Sequence, residues 1–207
     1  MNSERIYSSI GRVAGLYDIA LKLSGYQSSV EFFVSQLPFP KDTQISVLDA
    51  GCGTGLYTLA LLKRYPNARV VAFDLNEKLV GRLKEKLVDG NYQNRVRVFT
   101  GDIQNPPSGE YDLIITAGVL EYVPLQQTAA RLALQLRAGR YFFNSPVRDT
   151  LWGQIVAGIY GCKLYSREEN MSAFEPVLRL EKIITLPSYA LSSFKEGHLF
   201  KKPGRSE

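Results

Sequence analysis

Apolar and polar positions along this chain follow two periods, and the period switches repeatedly. Ile6, Ile10, Val13, Leu16 and Tyr17 fall at helical spacing, as do Val30, Phe33, Val34 and Leu37. They predict helices over 5–23 and 26–37, the second stopped by Pro38 and Pro40. Short apolar runs then take turns with amphipathic ones. Strands are predicted at 45–50, 69–74, 95–101, 112–117 and 140–145, and helices at 56–65, 76–89 and 125–137. Pro66, Gly90 and Asn91 punctuate them, and Gly139 stands where a helix C-cap belongs. The run "DLIITA" at 112–117 is nearly all apolar, as a strand buried on both faces must be. Strands alternating with helices predict an α/β domain, a parallel sheet covered on both faces. In the last third, 149–160 and 167–174 read as short helices, followed by strand-like runs at 178–186 and 198–202. The connection between those two runs is too short for a convincing crossover helix, so they should pair antiparallel.

The first strand runs into three glycines, in "VLDAGCGTGLYTLALL" at 47–62. A dinucleotide fingerprint requires G-x-G-x-x-G, the third glycine letting helix pack on strand. Here Gly51, Gly53 and Gly55 are spaced G-x-G-x-G, and Leu56 occupies the required third position. A P-loop requires Lys and Ser/Thr after the last glycine, and Leu56 and Tyr57 stand there instead. Asp49, just before the loop, puts a carboxylate where a pyrophosphate would be repelled and a cation attracted. Asp74 ends the second predicted strand, where an acid can accept from ribose hydroxyls. Asp102 follows the third in "TGDIQ" and can accept from an adenine amino group, with Ile103 packed on the base. S-adenosylmethionine, with a sulfonium, an ammonium and no phosphate, suits such a cleft. Each residue also has a plainer reading: the glycines as a tight turn, Asp74 as a helix cap, Asp102 as a turn cap before Pro106.

In order along the chain, "VLDAGCGTG", "VVAFDLN", "FTGDIQ" and "YDLIITAGVLEYVP" resemble the successive motifs of class I S-adenosylmethionine-dependent methyltransferases. The resemblance covers about 45–145. It implies a Rossmann-like seven-stranded sheet in the order 3-2-1-4-5-7-6, strand 7 antiparallel. It also implies cofactor contacts at Asp49, Gly51, Gly53, Asp74, Leu75, Asp102, Ile103 and Ala117. The segment "GVLEYVP" and the N-terminal "VAGLYDIALKLSGY" resemble the subgroup acting on small molecules and lipid-like acceptors, including the ubiquinone/menaquinone-biosynthesis methyltransferases. That likeness makes Tyr17 a candidate lid contact. Glu121 and Tyr122, just past the fourth strand, are the candidate catalytic residues. Glu121 is the candidate base if the acceptor must lose a proton; it reads equally as a helix-start acid favoured by the dipole.

With 207 residues, 45% hydrophobic and 22% charged, one domain is expected. Its parts would be a helical lid (1–40), a cofactor-binding core (41–147), an insert (148–176) and a terminal hairpin (177–207). Two distant cysteines, Cys52 and Cys162, give neither a disulfide scaffold nor metal spacing, and the start "MNSERIYSSIGR" has no apolar signal region. A cytoplasmic protein without membrane span or metal site is expected. The net charge of +5 admits anionic partners. The basic residues are scattered, however, and the cluster Lys201, Lys202, Arg205 reads as a solvated tail. "NPPS" at 105–108 follows the third strand rather than the fourth and lacks the aromatic fourth residue of amine-methylating enzymes, so no DNA partner is expected. His198, the single histidine, falls in the final hairpin and reads as structural. In "RDTLWGQIVAGIYGCKLY", 148–165, Leu151, Trp152, Ile155, Val156 and Ile159 could form one helix face. That face either packs on the sheet or caps an apolar acceptor pocket. The reading is a methyltransferase, monomer or homodimer, with a small, apolar or aromatic methyl acceptor. Methylation of RNA or protein, a non-catalytic cofactor-binding protein, and a nicotinamide-dependent dehydrogenase disfavoured by Leu56 stand beside it.

Overall fold

In a computed structural model of the chain, residues 25–186 and 195–204 are described, and the alternation resolves into a seven-stranded sheet. The elements are α1 (Tyr26–Ser35), β1 (Ser46–Ala50), α2 (Leu56–Arg64), β2 (Arg69–Asp74), α3 (Glu77–Asp89), β3 (Val96–Thr100), β4 (Tyr111–Ala117), α4 (Leu125–Leu134), β5 (Leu136–Ser145), α5 (Leu151–Tyr160), α6 (Arg167–Phe174), β6 (Arg179–Thr185) and β7 (Glu196–Lys201). The strand order is β3-β2-β1-β4-β5-β7-β6. Strands β1 to β5 pair parallel, and β7 runs antiparallel to both β5 and β6. The predicted helix over 5–23, and Tyr17 with it, lies outside the described residues.

Alternation along each strand divides the core in two. Val47, Leu113, Ile115 and Phe143 face one side, where Phe33, Leu61, Leu62 and Leu83 of α1, α2 and α3 cover them. Leu48, Ile114, Phe142 and Phe200 face the other, under Leu132 of α4 and Phe174 of α6. Each such side chain, fully buried, contributes about 1.5–3 kcal/mol. Because the first five strands run parallel, their carboxyl ends share one edge. The register sets Asp49 beside Ala72 and Ile115, and Asp74 beside Thr100.

Several boundaries differ from the sequence reading. The helix predicted over 125–137 ends at Leu134, because Leu136 is 2% exposed and already pairs with Tyr111 as the start of β5. Gly139 therefore caps no helix. It sits within β5 at φ 73° and donates its N–H to Lys202 O at 2.9 Å, beside the register shift between Tyr111 and Leu113. Asn76 precedes α3 rather than opening it, its side chain accepting from the N–H groups of Lys78 and Leu79. In α5, Leu151 and Ile155 face solvent. Among the described residues no helix is long and apolar enough to cross a membrane, and no cluster of His, Cys, Asp and Glu could hold a metal ion.

Candidate cofactor site

The glycine loop is tied to β2 by two backbone bonds: the N–H groups of Gly51 and Cys52 both donate to Phe73 O, at 2.9 and 3.0 Å. Gly51 has φ 79°, and a Cβ there would lie 2.5 Å from Val119 Cγ2. Gly55, at φ 88°, opens α2, and its missing Cβ leaves the space that the Leu83 side chain fills. Positive φ and close approach thus require glycine at both positions.

Two buried carboxylates flank this loop. Asp49, 3% exposed, accepts a short hydrogen bond from the Thr58 hydroxyl, one turn into α2. Burial pushes its carboxyl up to about 6, against the Thr58 bond that favours ionisation and with the nearby charge of Asp74. Asp74, 6% exposed, accepts from Gly53 N and from Asn76 N, both at 2.9 Å. Burial raises its carboxyl too, with those two N–H groups opposing. Neither carboxylate has a cationic partner among the described residues. Two uncompensated acids 25 residues apart in sequence, brought to adjacent strand ends, favour a cationic or hydroxyl-donating ligand and disfavour a phosphate.

A cleft opens beside them. Gly51, Asp74, Leu75, Asp102, Ile103 and Tyr122 line it, with Phe73, Gly101, Gln104, Val119 and Val123. Leu75 is 56% exposed at this mouth, while Ile103 is buried. The Asp102 carboxylate accepts from Gln104 N at 2.9 Å. Six of the sequence-derived residues thus share one cleft; Asp49, in β1, and Gly53, in the loop and bonded to Asp74, are not among its lining residues. Ala117, half-buried at the end of β4, is not among the lining residues.

Glu121 and Tyr122 part company. Tyr122 lines the cleft, whereas Glu121 is buried away from its wall, its carboxylate accepting from Val147 N at 2.7 Å and its carbonyl from Lys163 N at 3.1 Å. The structure gives Glu121 the work of joining the loops after β4, β5 and α5. Cys52 is buried and burial pushes its thiol up, as for an inert filler. His198 is fully buried, its Nε2 2.7 Å from Glu196 Oε1. Thr58 and Val119 were missed by the sequence reading. A hydroxyl one turn beyond the last glycine was the available signal for Thr58. Nothing local marks Val119, whose contact with Gly51 spans 68 positions.

Residues 47–139 match the family model described as a methyltransferase domain. The chain is 26% identical over 182 residues to a malonyl-[acyl-carrier protein] O-methyltransferase 1 of Ilyobacter polytropus, covering 86% of this chain and 61% of that one. It is 28% identical over 166 residues to a malonyl-[acyl-carrier protein] O-methyltransferase of Priestia megaterium, covering 76% and 57%. The chain thus spans about three fifths of the length of these curated relatives. Among solved structures, geranyl diphosphate C-methyltransferase from Streptomyces coelicolor A3(2), in complex with S-adenosyl-L-homocysteine, superposes with a TM-score of 0.71 at 14% identity, covering 84% of this chain and 80% of that one. That likeness is one of fold.

Proposed function

We propose that the chain is a class I S-adenosylmethionine-dependent methyltransferase that transfers a methyl group from S-adenosylmethionine to a small, apolar or aromatic acceptor; the match of residues 47–139 to a methyltransferase-domain model supports the reading. The observation that carries the reading is the pair of buried carboxylates, Asp49 and Asp74, flanking a glycine loop that lacks both the dinucleotide spacing and the P-loop cation. When bound, the cofactor supplies a methyl group already activated on a sulfonium. The chain's own residues then bind, orient and exclude water. Asp49 would attract the cofactor's positive charge, Asp74 and Asp102 would accept from its hydroxyl and amino groups, and Leu75 and Ile103 would offer apolar contact to its ring. Tyr122 stands on the cleft wall at the side of β4, where an acceptor would approach. The relatives named above, malonyl-[acyl-carrier protein] O-methyltransferases by name, support transfer to oxygen.

The test is thermal stability with S-adenosylmethionine, S-adenosylhomocysteine, NAD⁺, NADP⁺ and ATP in turn. A ligand present at about 100 times its Kd stabilises a fold by about 2.7 kcal/mol. The two adenosyl-sulfur compounds alone should raise the Tm. A rise with a dinucleotide or ATP and none with S-adenosylhomocysteine would overturn the reading.

A further inference from the structure

Lys195 lies next to this cleft and takes no part in the cofactor reading. It pairs with Val147 as an isolated antiparallel bridge just before β7, and its side chain is 5% exposed. The ammonium donates to Ser145 O at 3.1 Å and stands 3.0 Å from where a Cβ of residue 118 would be. Gly118 thus leaves the room that the cation occupies, over the carboxyl ends of β4 and β5. An ammonium carries three donors, and a single hydrogen-bond acceptor serves this one among the described residues. Burial pulls its pKa down, and the charge of Glu121 works against that.

The groups around it are short of partners as well. Ser145 Oγ and Tyr57 OH are buried without a hydrogen-bond partner. The Tyr57 hydroxyl faces those of Ser145 and Tyr26 without closing a bond, and it feels the charge of Asp49. The cluster therefore adjoins the cofactor loop. Gly118 is followed by Val119, which packs on Gly51 and lines the cleft. A buried cation with unused donors is costly, and an apolar side chain of like volume would remove the cost. A ligand oxygen that accepts from the ammonium and both hydroxyls would remove it too.

Building on the methyltransferase reading, we propose that Lys195, Tyr57 and Ser145 form the acceptor subsite and hold a carboxylate of the methyl acceptor. A carboxylate has two oxygens and room for several donors, and it arrives ionised, so no base is required. In the transfer, a lone pair on its oxygen forms the new bond to the methyl carbon. The carbon–sulfur bond breaks with its electron pair left on sulfur, and the products are a neutral ester and a neutral thioether. Lys195 orients the attacking oxygen and loses its counter-charge as the ester forms, which favours release.

The experiment uses the full chain saturated with S-adenosylhomocysteine, as wild type, Lys195→Met and Tyr57→Phe. Acetate, benzoate and phenylacetate are compared by thermal shift with acetamide, benzamide and phenylacetamide. In the wild type, at least one acid should raise the Tm by about 2 °C more than its amide. That preference should vanish in Lys195→Met and shrink in Tyr57→Phe, with affinity for S-adenosylhomocysteine kept within about twofold. Equal shifts for acids and amides in the wild type, or a preference that survives Lys195→Met, would overturn the proposal. So would a loss of S-adenosylhomocysteine affinity of about tenfold or more in Lys195→Met, which would give the ammonium to the cofactor's own carboxylate. If Lys195→Met does not fold, Tyr57→Phe, which removes one oxygen, decides by the same preference. Absence of any shift with S-adenosylhomocysteine in the wild type fails the cofactor reading instead.

Discussion

At the scale of single residues, Asp49 sets stability against binding. Burial holds its carboxyl at about 6 in the folded chain, above its ordinary value of 3.8. The folded state therefore keeps a proton that the unfolded state releases, and the folded state loses stability as pH rises from about 4 to about 6, by about 3 kcal/mol in all. Asp49→Asn should remove that loss, raising the Tm of the free protein at about pH 7.5 and flattening its dependence between pH 4 and 6. The same change should weaken S-adenosylmethionine about tenfold or more, since the ionised carboxylate is what attracts the cation; calorimetric titration at the same pH measures it. A raised Tm with unchanged affinity would remove Asp49 from the site. Asp74 holds the loop through Gly53 N and Asn76 N, so Asp74→Ala should lower both stability and cofactor affinity. Gly51→Ala combines positive φ with a collision into Val119 and should cost about 2 kcal/mol or more, read as a fall in Tm.

At the scale of elements, the insert and the last strand are joined by one acid. Glu196, 3% exposed at the start of β7, accepts two hydrogen bonds from Arg167 of α6 at 3.1 and 2.7 Å. Arg148 lies 3.4 Å from it. Burial alone would raise its carboxyl, but the hydrogen bonds from His198 and Arg167 outweigh it and bring the group down to about 2. The stabilisation is present above the ordinary glutamate range and is lost as pH falls through about 4.5 toward 2. Glu196→Gln should lower the Tm at neutral pH by the equivalent of about 2 kcal/mol and reduce the acid sensitivity of unfolding. None of this network was legible in the sequence, because Glu196 and Arg167 are 29 positions apart and meet through the antiparallel return of β7. The parallel half was legible: its strands are continuous apolar runs, and the three acids stand where those runs end. Gly139 misled because a glycine after a run of helical spacing marks a C-cap as readily as it marks a kink inside a strand. Lys195 left no local signal either, its partner Ser145 being 50 positions away.

At the scale of the whole molecule, the net charge of +5 favours an RNA acceptor only if the excess gathers beside the cleft. Its distribution argues otherwise. Arg137 and Arg140 are paired with Asp112 at 3.0 and 3.1 Å, on strand β4's amino-terminal side of the sheet. Arg148 and Arg167 are engaged by Glu196. Arg95 caps the carbonyls of Leu62, Tyr65 and Pro66, and Lys202 those of Ala133 and Leu136. Among the described residues, the cleft wall carries Asp74 and Asp102 and no Lys or Arg. Phosphate backbones are held by several free cations acting together, and the affinity falls steeply with salt. Unfractionated transfer RNA should therefore bind, at about 150 mM salt, no more tightly than the non-specific range of about 10⁻⁴–10⁻⁶ M. The Tm gain from S-adenosylhomocysteine should change little between about 50 and 300 mM salt, because its contacts are buried rather than screened. Filter binding and thermal shift measure the two. Nanomolar retention of transfer RNA with a steep salt slope would move the acceptor from a small molecule to RNA.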